Sequence, residues 1–240
     1  MPAHKWLPCC VQEFASHDGM RTAAALTPGT GRFHMLMPQE SARRLFFPQA
    51  YAGGEGAQWS GLLYWELSVE LAGCGLCSAA MCIDLLTNRD LTPRDVLARY
   101  RKDGMDDAGA SKVGGRNMSM LLNEYNARTF GIRSFPIERS VDAFRQALAQ
   151  GDVIWASSSD HQGTHPWHYA DGSLQPLDPC GIQHPHGHIV CVWAYEDGAF
   201  LVKDPLGPSQ LCNNVRYTDD QMERWLAGND HQQYRVSVAR

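Results

Sequence analysis

The sequence predicts an α+β protein, in which helices come early in the chain and an antiparallel sheet comes later. Two observations lead to this class. Apolar residues recur at three- and four-residue steps over 74–86, which indicates a buried helix. From residue 153 onward, short apolar runs bounded by turn residues indicate strands. Because the two kinds of element are segregated along the chain, a parallel sheet built from alternating strands and helices is not expected.

Composition limits the classes of protein that this chain can belong to. Its 240 residues are 44% hydrophobic, enough for one sizeable core or for two lobes that share a cleft. The net charge of −5 and the scattered basic residues argue against nucleic-acid binding. No apolar window is long enough for a membrane span, and no cofactor or metal requirement is expected. The oligomeric state stays open.

The start of the chain and its eight cysteines bear on location. Residues 1–14 contain no apolar signal region, so we expect a cytoplasmic protein, or one secreted by a route that does not read a signal peptide. Reduced thiols are expected for the same reason. Residues 1–44 show little periodicity and are predicted to be an N-terminal extension packed on a body of residues 45–240. Residues 45–48 are predicted to form a short strand that ends in a turn at Gln49.

Further helices are predicted on both sides of a Gly- and Asp-rich loop. Thr92 and Pro93 have the residue types of an N-cap and a first helical position, and they open a helix that runs to about residue 101. Two more helices are predicted over 117–126 and 141–150, the latter capped by Ser140.

The second half of the chain is predicted to form mainly strands, two of which pair in a hairpin. Strands are predicted over 153–156, 188–195 and 199–203, followed by a short helix over 219–227 and a last strand over 234–238. Asp197-Gly198 is a tight-turn signal, so residues whose numbers sum to about 395 should face each other. This register brings His188 close to Asp204, within a slip of a few residues.

Cys74 is the candidate nucleophile because of its place at the start of a helix. The thiolate is the reactive form of cysteine, and the unpaired N–H groups of a helix N-terminus stabilise that anion. Gly73 and Gly75 flank the thiol and fit a sharp entry into the helix and close approach by a substrate. His188, brought from the later hairpin, is the candidate base, and Asp204 could hold its imidazole in the correct orientation and tautomer.

Three motifs in this order resemble a known family. Gly-Cys-Gly-x-x-Ser-Ala-x-Met at 73–81, Gly-His-Ile-Val-x-Val at 187–192 and Val-x-Asp-Pro-x-Gly at 202–207 are similar to motifs of papain-like cysteine peptidases related to the bacteriocin-leader (double-glycine) peptidases. The resemblance covers about residues 45–210. It implies a papain-like fold, with a helical lobe and an antiparallel sheet, whose catalytic domain spans 45–240. It also implies Cys74 as nucleophile, His188 as base, Asp204 as orienting carboxylate and a glutamine ahead of the nucleophile as oxyanion donor.

The chain departs from this family pattern at three places. Leu76-Cys77 stand where the family usually has Pro-Thr. No glutamine lies at a short spacing before Cys74, so Gln49, which follows an apolar run, is preferred as oxyanion donor and Gln58 stays an alternative. Residues 157–187 form a long polar insertion rich in histidine.

Two features of the sequence support competing interpretations. Cys77, one turn after Cys74, is expected to be a core residue or at most a local redox partner of Cys74. His184, His186 and His188 alternate and, with Cys180, could hold zinc in a non-catalytic metal-binding protein. A catalytically inactive relative that acts as an interaction module is a third possibility.

The sequence therefore predicts a cysteine hydrolase that cleaves a peptide or isopeptide bond through a thioester. The expected partner is a peptide or protein substrate, with neither nucleic acid nor membrane involved. A delivered bacterial effector or toxin is one possible role. Deamidation, transglutamination and acyl transfer use the same machinery and stay open.

Overall fold

The computed structural model describes residues 36–49, 54, 56–64, 67–104, 120, 123–158, 188–207, 209–227 and 232–239. The elements within these ranges are, in chain order, α1 (Gln39–Arg44), β1 (Leu63–Tyr64), β2 (Leu67–Ser68), α2 (Val69–Ala72), α3 (Cys74–Thr87), α4 (Pro93–Lys102), α5 (Asn123–Phe130), β3 (Ile132–Ile137), α6 (Val141–Ala149), β4 (Val153–Ser158), β5 (His188–Glu196), β6 (Ala199–Lys203), α7 (Ser209–Cys212), β7 (Asn213–Thr218), α8 (Asp219–Leu226) and β8 (Gln233–Val238).

An antiparallel sheet forms the second half of the molecule. Within the described residues it has six strands in the order β3-β8-β4-β5-β6-β7, and each neighbouring pair runs antiparallel. A separate two-stranded hairpin pairs β1 with β2. The predicted α+β class is therefore confirmed, and the absence of parallel pairing in these strands agrees with the segregated order of helices and strands in the sequence.

Helix α3 is the core element against which the sheet packs. Residues 74–86 of this helix are all buried, as expected for a helix that is apolar on nearly every side. It contacts β4 and β5 on the sheet and α4 on its other side. The chain leaves α3 through Asn88, whose φ of 50° lies in the left-handed region that ends many helices. The predicted helix over 74–86 is confirmed, with one residue added at its end.

Of the other helix predictions, two are confirmed at their start and one is wrong at its end. Helix α4 begins at Pro93 as predicted, and its Thr92 cap is completed by Asp95 in a reciprocal capping box. Helix α6 has the predicted start at Val141 and the Ser140 cap. The helix predicted to end at residue 126 instead continues as α5 to Phe130, because Phe130 is buried against Tyr100 of α4.

The hairpin that carries the candidate base has the predicted turn and nearly the predicted register. Asp197 and Gly198 have φ of 49° and 73°, as a tight hairpin turn requires. Tyr195 pairs with Phe200, as the sum of 395 predicts. A bulge between Val192 and Ala194 then shifts the pairing by one residue. The sequence pattern does not reveal this extra residue, which lies at Trp193.

One local prediction is wrong, and three local elements were not predicted. Residues 45–48 form no strand but an irregular segment. Phe46 and Phe47 are nevertheless buried, so the apolar run there reflects packing and not strand pairing. Strands β3 and β7 and the short β1–β2 hairpin were not predicted. Pro136 within β3, and the polar residues in β7, obscured the strand signal.

The described part of the predicted N-terminal extension packs on the sheet. Gln39 and Arg43 of α1 both bond to the Glu196 carboxylate at the end of β5. Residues 1–35 lie outside the described residues, so the extension over 1–44 and the body over 45–240 stay predictions as units. Among the helices of the described ranges, none combines the length and apolarity needed to cross a bilayer.

A side chain extends the pairing between β4 and β8 beyond their last backbone pair. The backbone register ends at Trp155 and Tyr234. The fully buried Gln233 amide then accepts from the Ser157 backbone N–H at 2.9 Å and donates to the Ser157 carbonyl oxygen at 2.8 Å. Because Ser158, the next residue, pairs with His188, this amide fixes the end of β4 beside the start of β5.

Replacing Gln233 by Ala should destabilise the protein because it leaves two buried backbone groups of Ser157 without their partner. Each such group costs about 1–3 kcal/mol, so we expect the free energy of unfolding to fall by about 2–6 kcal/mol in urea denaturation. The neighbouring Gln232 is exposed, and Gln232→Ala should change stability by at most about 0.5 kcal/mol. Equal effects of the two substitutions would refute this role of Gln233.

Candidate active site

Cys74 is the first residue of α3, as the sequence predicts, and only 4% of it is exposed. Two buried hydrogen bonds fix the first turn of this helix on the sheet. Trp155 Nε1 in β4 donates to the Gly75 carbonyl oxygen at 3.1 Å, and Ser78 Oγ donates to the Ile189 carbonyl oxygen in β5 at 3.0 Å. The position of Cys74 relative to the sheet is therefore set by bonds to both β4 and β5 from the turn that it begins.

Gly73 allows the sharp entry into α3 for a steric reason. Its φ of −85° is available to every residue. A Cβ at this position would lie 2.4 Å from both the carbonyl oxygen and Cγ1 of Val69, and 2.9 Å from its Cα. The backbone at residue 73 thus approaches α2 too closely for any side chain, and α2 can lead into α3 with only one residue between them.

His188 and Asp204 meet as the sequence predicts. His188 opens β5, Asp204 directly follows β6, and His188 Nε2 lies 2.7 Å from Asp204 Oδ1. Both side chains are almost completely buried, at 2% and 0% exposed. A short contact between two such groups away from water is a strong, charge-assisted hydrogen bond when the imidazole is protonated.

The surroundings of His188 favour its protonated form. Burial of the ring opposes the charge, but the Asp204 carboxylate, by its charge and its hydrogen bond, outweighs that cost. A hydrogen bond and the charge of Cys74 act in the same direction, and together they raise the pKa of His188 to about 10. The Cys74 thiol is thus within hydrogen-bonding reach of the imidazole, and Nε2 is engaged by Asp204.

Backbone bonds hold the Asp204 carboxylate in place. Asp204 Oδ1 accepts from the Leu206 N–H at 2.9 Å as well as bonding His188, and the Asp204 N–H donates to the Cys212 carbonyl oxygen at 3.0 Å. The Asp-Pro sequence at 204–205 therefore makes a side-chain-capped turn that also presents a carboxylate. The role of Asp204 in this turn is therefore compatible with the predicted orienting role.

The two glutamine candidates lie in different environments. Gln49 is 3% exposed; its backbone N–H donates to the Pro205 carbonyl oxygen and its Nε2 donates to the Glu70 carbonyl oxygen at 2.9 Å. Glu70 is in α2, which leads into Cys74, so Gln49 joins the Asp204 turn to the segment before the thiol. Gln58 is exposed to solvent. Gln49 is thus the buried residue of the two, and its role as oxyanion donor stays a prediction.

The remaining described cysteines are buried and free, including Cys82 and Cys191, whose sulfur atoms lie 3.6 Å apart. Burial, and then the charge of the nearby Cys74, raise the pKa of Cys77 well above its ordinary value. Cys77 is fully buried, so it has the character of a core thiol and is a poor rival to Cys74 as nucleophile.

The alternative zinc site can be compared with the structure only in part. Within the residues that the structure describes, no cluster of three or more potential metal ligands occurs. His184, His186 and Cys180 lie outside those residues. His188, the fourth candidate ligand, is engaged by Asp204.

The sequence analysis did not identify the groups that position the site. Trp155, Ser78 and the carbonyl of Glu70 each contact a segment far away in sequence, so no local pattern reveals them. Their residue types gave a weak signal: a buried tryptophan or serine needs a hydrogen-bond partner, which for Trp155 and Ser78 is a backbone carbonyl near Cys74 or His188.

Replacing Gly73 by Ala should shift the junction of α2 and α3, because the added Cβ clashes with Val69 backbone atoms. We expect a loss of about 1–3 kcal/mol in stability and slower alkylation of Cys74 by iodoacetamide. Gly61→Ala is the matched control, since no atom lies within 4 Å of the added Cβ there. The steric explanation fails if both variants keep wild-type stability and alkylation rate.

Comparison with known proteins places the chain in a family. Residues 57–232 match the Peptidase_C39 like family. No curated protein with a similar sequence is found. Similar solved structures include a C39-like peptidase from Bacillus anthracis (13% identity, 83% of this chain and 97% of that chain covered, TM-score 0.46).

Two further solved structures are similar over much of their length. One is a double-glycine-motif protease from an AMS/PCAT transporter, solved in complex with a leader peptide (13% identity, 68% and 81% covered, TM-score 0.37). The other is xylellain, a cysteine protease from Xylella fastidiosa (14% identity, 89% and 95% covered, TM-score 0.38). The family match extends over most of the chain and includes Cys74, His188 and Asp204. The chain therefore belongs to the Peptidase_C39 like family of cysteine peptidases.

Proposed function

We propose that this protein hydrolyses a peptide bond of a peptide or protein substrate, with Cys74 as nucleophile, His188 as general base and acid, and Asp204 as the group that orients His188. The observation that carries the proposal is the buried 2.7 Å contact between His188 and Asp204, with Cys74 in hydrogen-bonding reach of the same imidazole. Membership of a cysteine peptidase family supports the same reaction class.

The first half of the reaction uses the proton that His188 holds. Because the pKa of His188 is raised to about 10, the imidazole is protonated at neutral pH and can act as the acid of the first step. The thiolate sulfur attacks the carbonyl carbon, a C–S bond forms and the carbonyl oxygen becomes an oxyanion. His188 then donates its proton to the leaving amine, the C–N bond breaks, and a thioester of Cys74 remains.

The second half regenerates the enzyme. His188, now neutral, accepts a proton from a water molecule that attacks the thioester carbonyl. The C–S bond breaks, the carboxylic acid product leaves and Cys74 is again a thiolate beside a protonated imidazole. Asp204 stays ionised throughout and holds Nε2, which leaves Nδ1 for exchange of the proton with sulfur, amine and water.

Two N–H donors would stabilise the oxyanion. The backbone N–H of Cys74 lies at the N-terminus of α3, where the first N–H groups have no partner within the helix. The Gln49 carboxamide supplies the second donor: one of its N–H bonds is used by the Glu70 carbonyl, and the other is the candidate. Donors that are fixed before the substrate binds need no reorganisation during the reaction.

The same chemistry allows more than one reaction and more than one biological role. A thioester at Cys74 can pass its acyl group to an amine as well as to water, so transfer and deamidation stay open. Cytoplasmic location or signal-independent secretion, and a role as a bacterial effector or toxin, stay predictions of the sequence.

Replacing Cys74 by Ser should abolish hydrolysis, measured on a fluorescence-quenched peptide library at neutral pH, because a serine hydroxyl is not ionised by this imidazole. We expect a loss of at least about 10³-fold. Cys77→Ala is the matched control one helical turn away and should retain activity. When the protein is treated with substoichiometric iodoacetamide and the labelled peptide is mapped, the label should be on Cys74. Hydrolysis that survives Cys74→Ser, or a label on Cys77, would contradict the assignment.

Replacing Asp204 by Asn should lower the pKa of His188, since the carboxylate charge is the largest of the causes that raise it against burial of the ring. We expect the imidazole to titrate at least about one pH unit lower and hydrolysis to fall by about 10²–10⁴-fold. The titration can be followed by NMR of the histidine-labelled protein, with the His188 signal assigned by its loss in His188→Asn.

The contact of Asp204 with His188 also makes the stability of the protein fall as the pH rises. A pKa of His188 raised from an unfolded value of about 6.5 to about 10 stabilises the fold fully below pH 6.5 and progressively less as the pH rises through about 10. The wild type should therefore lose stability over this alkaline window, and Asp204→Asn should lose less. An Asn variant with the wild-type His188 titration would disprove the pairing.

A further inference from the structure

Lys203 is a buried lysine directly before Asp204 in the chain. It is the last residue of β6 and is 0% exposed, which is rare for a lysine. Lys203 and Asp204 have separate partners: Asp204 contacts His188, whereas the Lys203 ammonium group contacts side chains of β7.

Polar groups of β7 surround the ammonium group. Lys203 Nζ donates to Asn213 Oδ1 at 2.7 Å and to Asn214 Oδ1 at 3.0 Å, and it lies 5.0 Å from the centroid of the Trp193 ring. The charged and titratable groups that face it are the Arg43 guanidinium and the Cys191 thiol. Burial, opposed by Cys191 and assisted by Arg43, lowers the pKa of Lys203 to about 7.

The two asparagines extend this contact to α1. Asn213 Nδ2 and Asn214 Nδ2 both donate to the Arg43 carbonyl oxygen, at 3.0 and 2.7 Å. Asn214 Oδ1 also accepts from Trp193 Nε1 at 3.0 Å, and its φ of 63° turns the backbone so that adjacent amides can point the same way. Lys203, Asn213, Asn214 and Arg43 thus form a chain of contacts, which we call the lysine clamp.

The lysine clamp closes the base of the turn that presents Asp204. The segment over 204–212 leaves β6 after Lys203 and enters β7 at Asn213. Lys203 and Asn213 are paired across the two strands at the point where their register shifts. At the same base, the Asp204 N–H donates to the Cys212 carbonyl oxygen. The side-chain contact of Lys203 with Asn213 adds a further fixed point where the backbone register shifts.

We propose that Lys203 is a positioning residue of the active site, which holds the Asp204 carboxylate against His188 by fixing the β6–β7 turn to Asn213 and Asn214. This role rests on the proposed function only for its effect on catalysis. Its effect on the His188–Asp204 contact is independent of whether the protein is a peptidase. At its other end, the lysine clamp contacts Arg43 of α1, the helix that precedes Gln49. It therefore connects the segment of Asp204 with the segment of the candidate oxyanion donor.

The test is the pKa of His188 measured by NMR in the full chain for wild type, Lys203→Met and Asn213→Ala. Methionine keeps the length and apolar stem of lysine and removes its hydrogen bonds. Tyr100→Phe is the control, because it removes a buried hydrogen bond to Asn126 in α5 that is remote from the turn. Retention of near-UV circular dichroism establishes that each variant is folded.

A freed carboxylate should lower the imidazole pKa by about one unit or more in both clamp variants, and Tyr100→Phe should leave it unchanged. If Lys203→Met fails to fold, Asn213→Ala decides the outcome alone. A folded clamp variant whose His188 pKa equals that of the wild type overturns the proposal. Peptide hydrolysis, measured in parallel, separates the two ideas: a His188 shift in a chain without Cys74-dependent hydrolysis refutes the peptidase and leaves the positioning role standing.

Discussion

The buried contact between His188 and Asp204 is the constraint on which the rest of the site depends. A carboxylate with no exposure is stable only when its charge is compensated by neighbours, since burying an unpaired charge costs several kcal/mol. Here the compensation comes from one imidazole and from the Leu206 N–H in the same turn. The pair therefore requires that β5 and β6 stay in register up to their open end and that the chain turns sharply at Asp204.

A second constraint follows, because the nucleophile comes from a different part of the chain. Cys74 reaches the imidazole only if the first turn of α3 is placed on the sheet to within a fraction of an ångström, and apolar packing alone does not specify position that finely. Buried hydrogen bonds supply the missing specificity: Trp155 of β4 bonds to Gly75, and Ser78 bonds to Ile189 of β5, both within the first turn after Cys74. Gly73 adds a steric requirement on the preceding side, where only hydrogen fits against Val69.

The parts of this arrangement that sequence could predict are those with a local or periodic signal. The span of α3, the caps at Thr92 and Ser140 and the turn at Asp197-Gly198 each depend on a few consecutive residues, and each is found where predicted. The meeting of His188 with Asp204 also follows from local pairing across one hairpin. Strands β3 and β7 escaped prediction because their stability comes from pairing with β8 and β6, which are distant or bulged partners.

The glutamine shows where sequence reasoning reaches its limit. From sequence, Gln49 is preferred over Gln58 as oxyanion donor only because an apolar run precedes Gln49. The strand predicted from that run does not form. Gln49 is nevertheless the buried residue of the two, because Phe47 packs edge-on against Trp59 and the Pro48 carbonyl accepts from Trp59 Nε1. The preference for Gln49 is therefore supported by tertiary contacts that its original argument did not contain.

Lys203 and Asp204 together illustrate how one strand end can serve two needs. A positive group and a negative group are buried next to each other in sequence without contacting each other. Asp204 pairs with His188, while Lys203 is satisfied by two amides of β7. If the ammonium group contacted the carboxylate instead, it would compete with the imidazole and lower the pKa of His188. The amides of Asn213 and Asn214 thus keep the orienting carboxylate available to the imidazole.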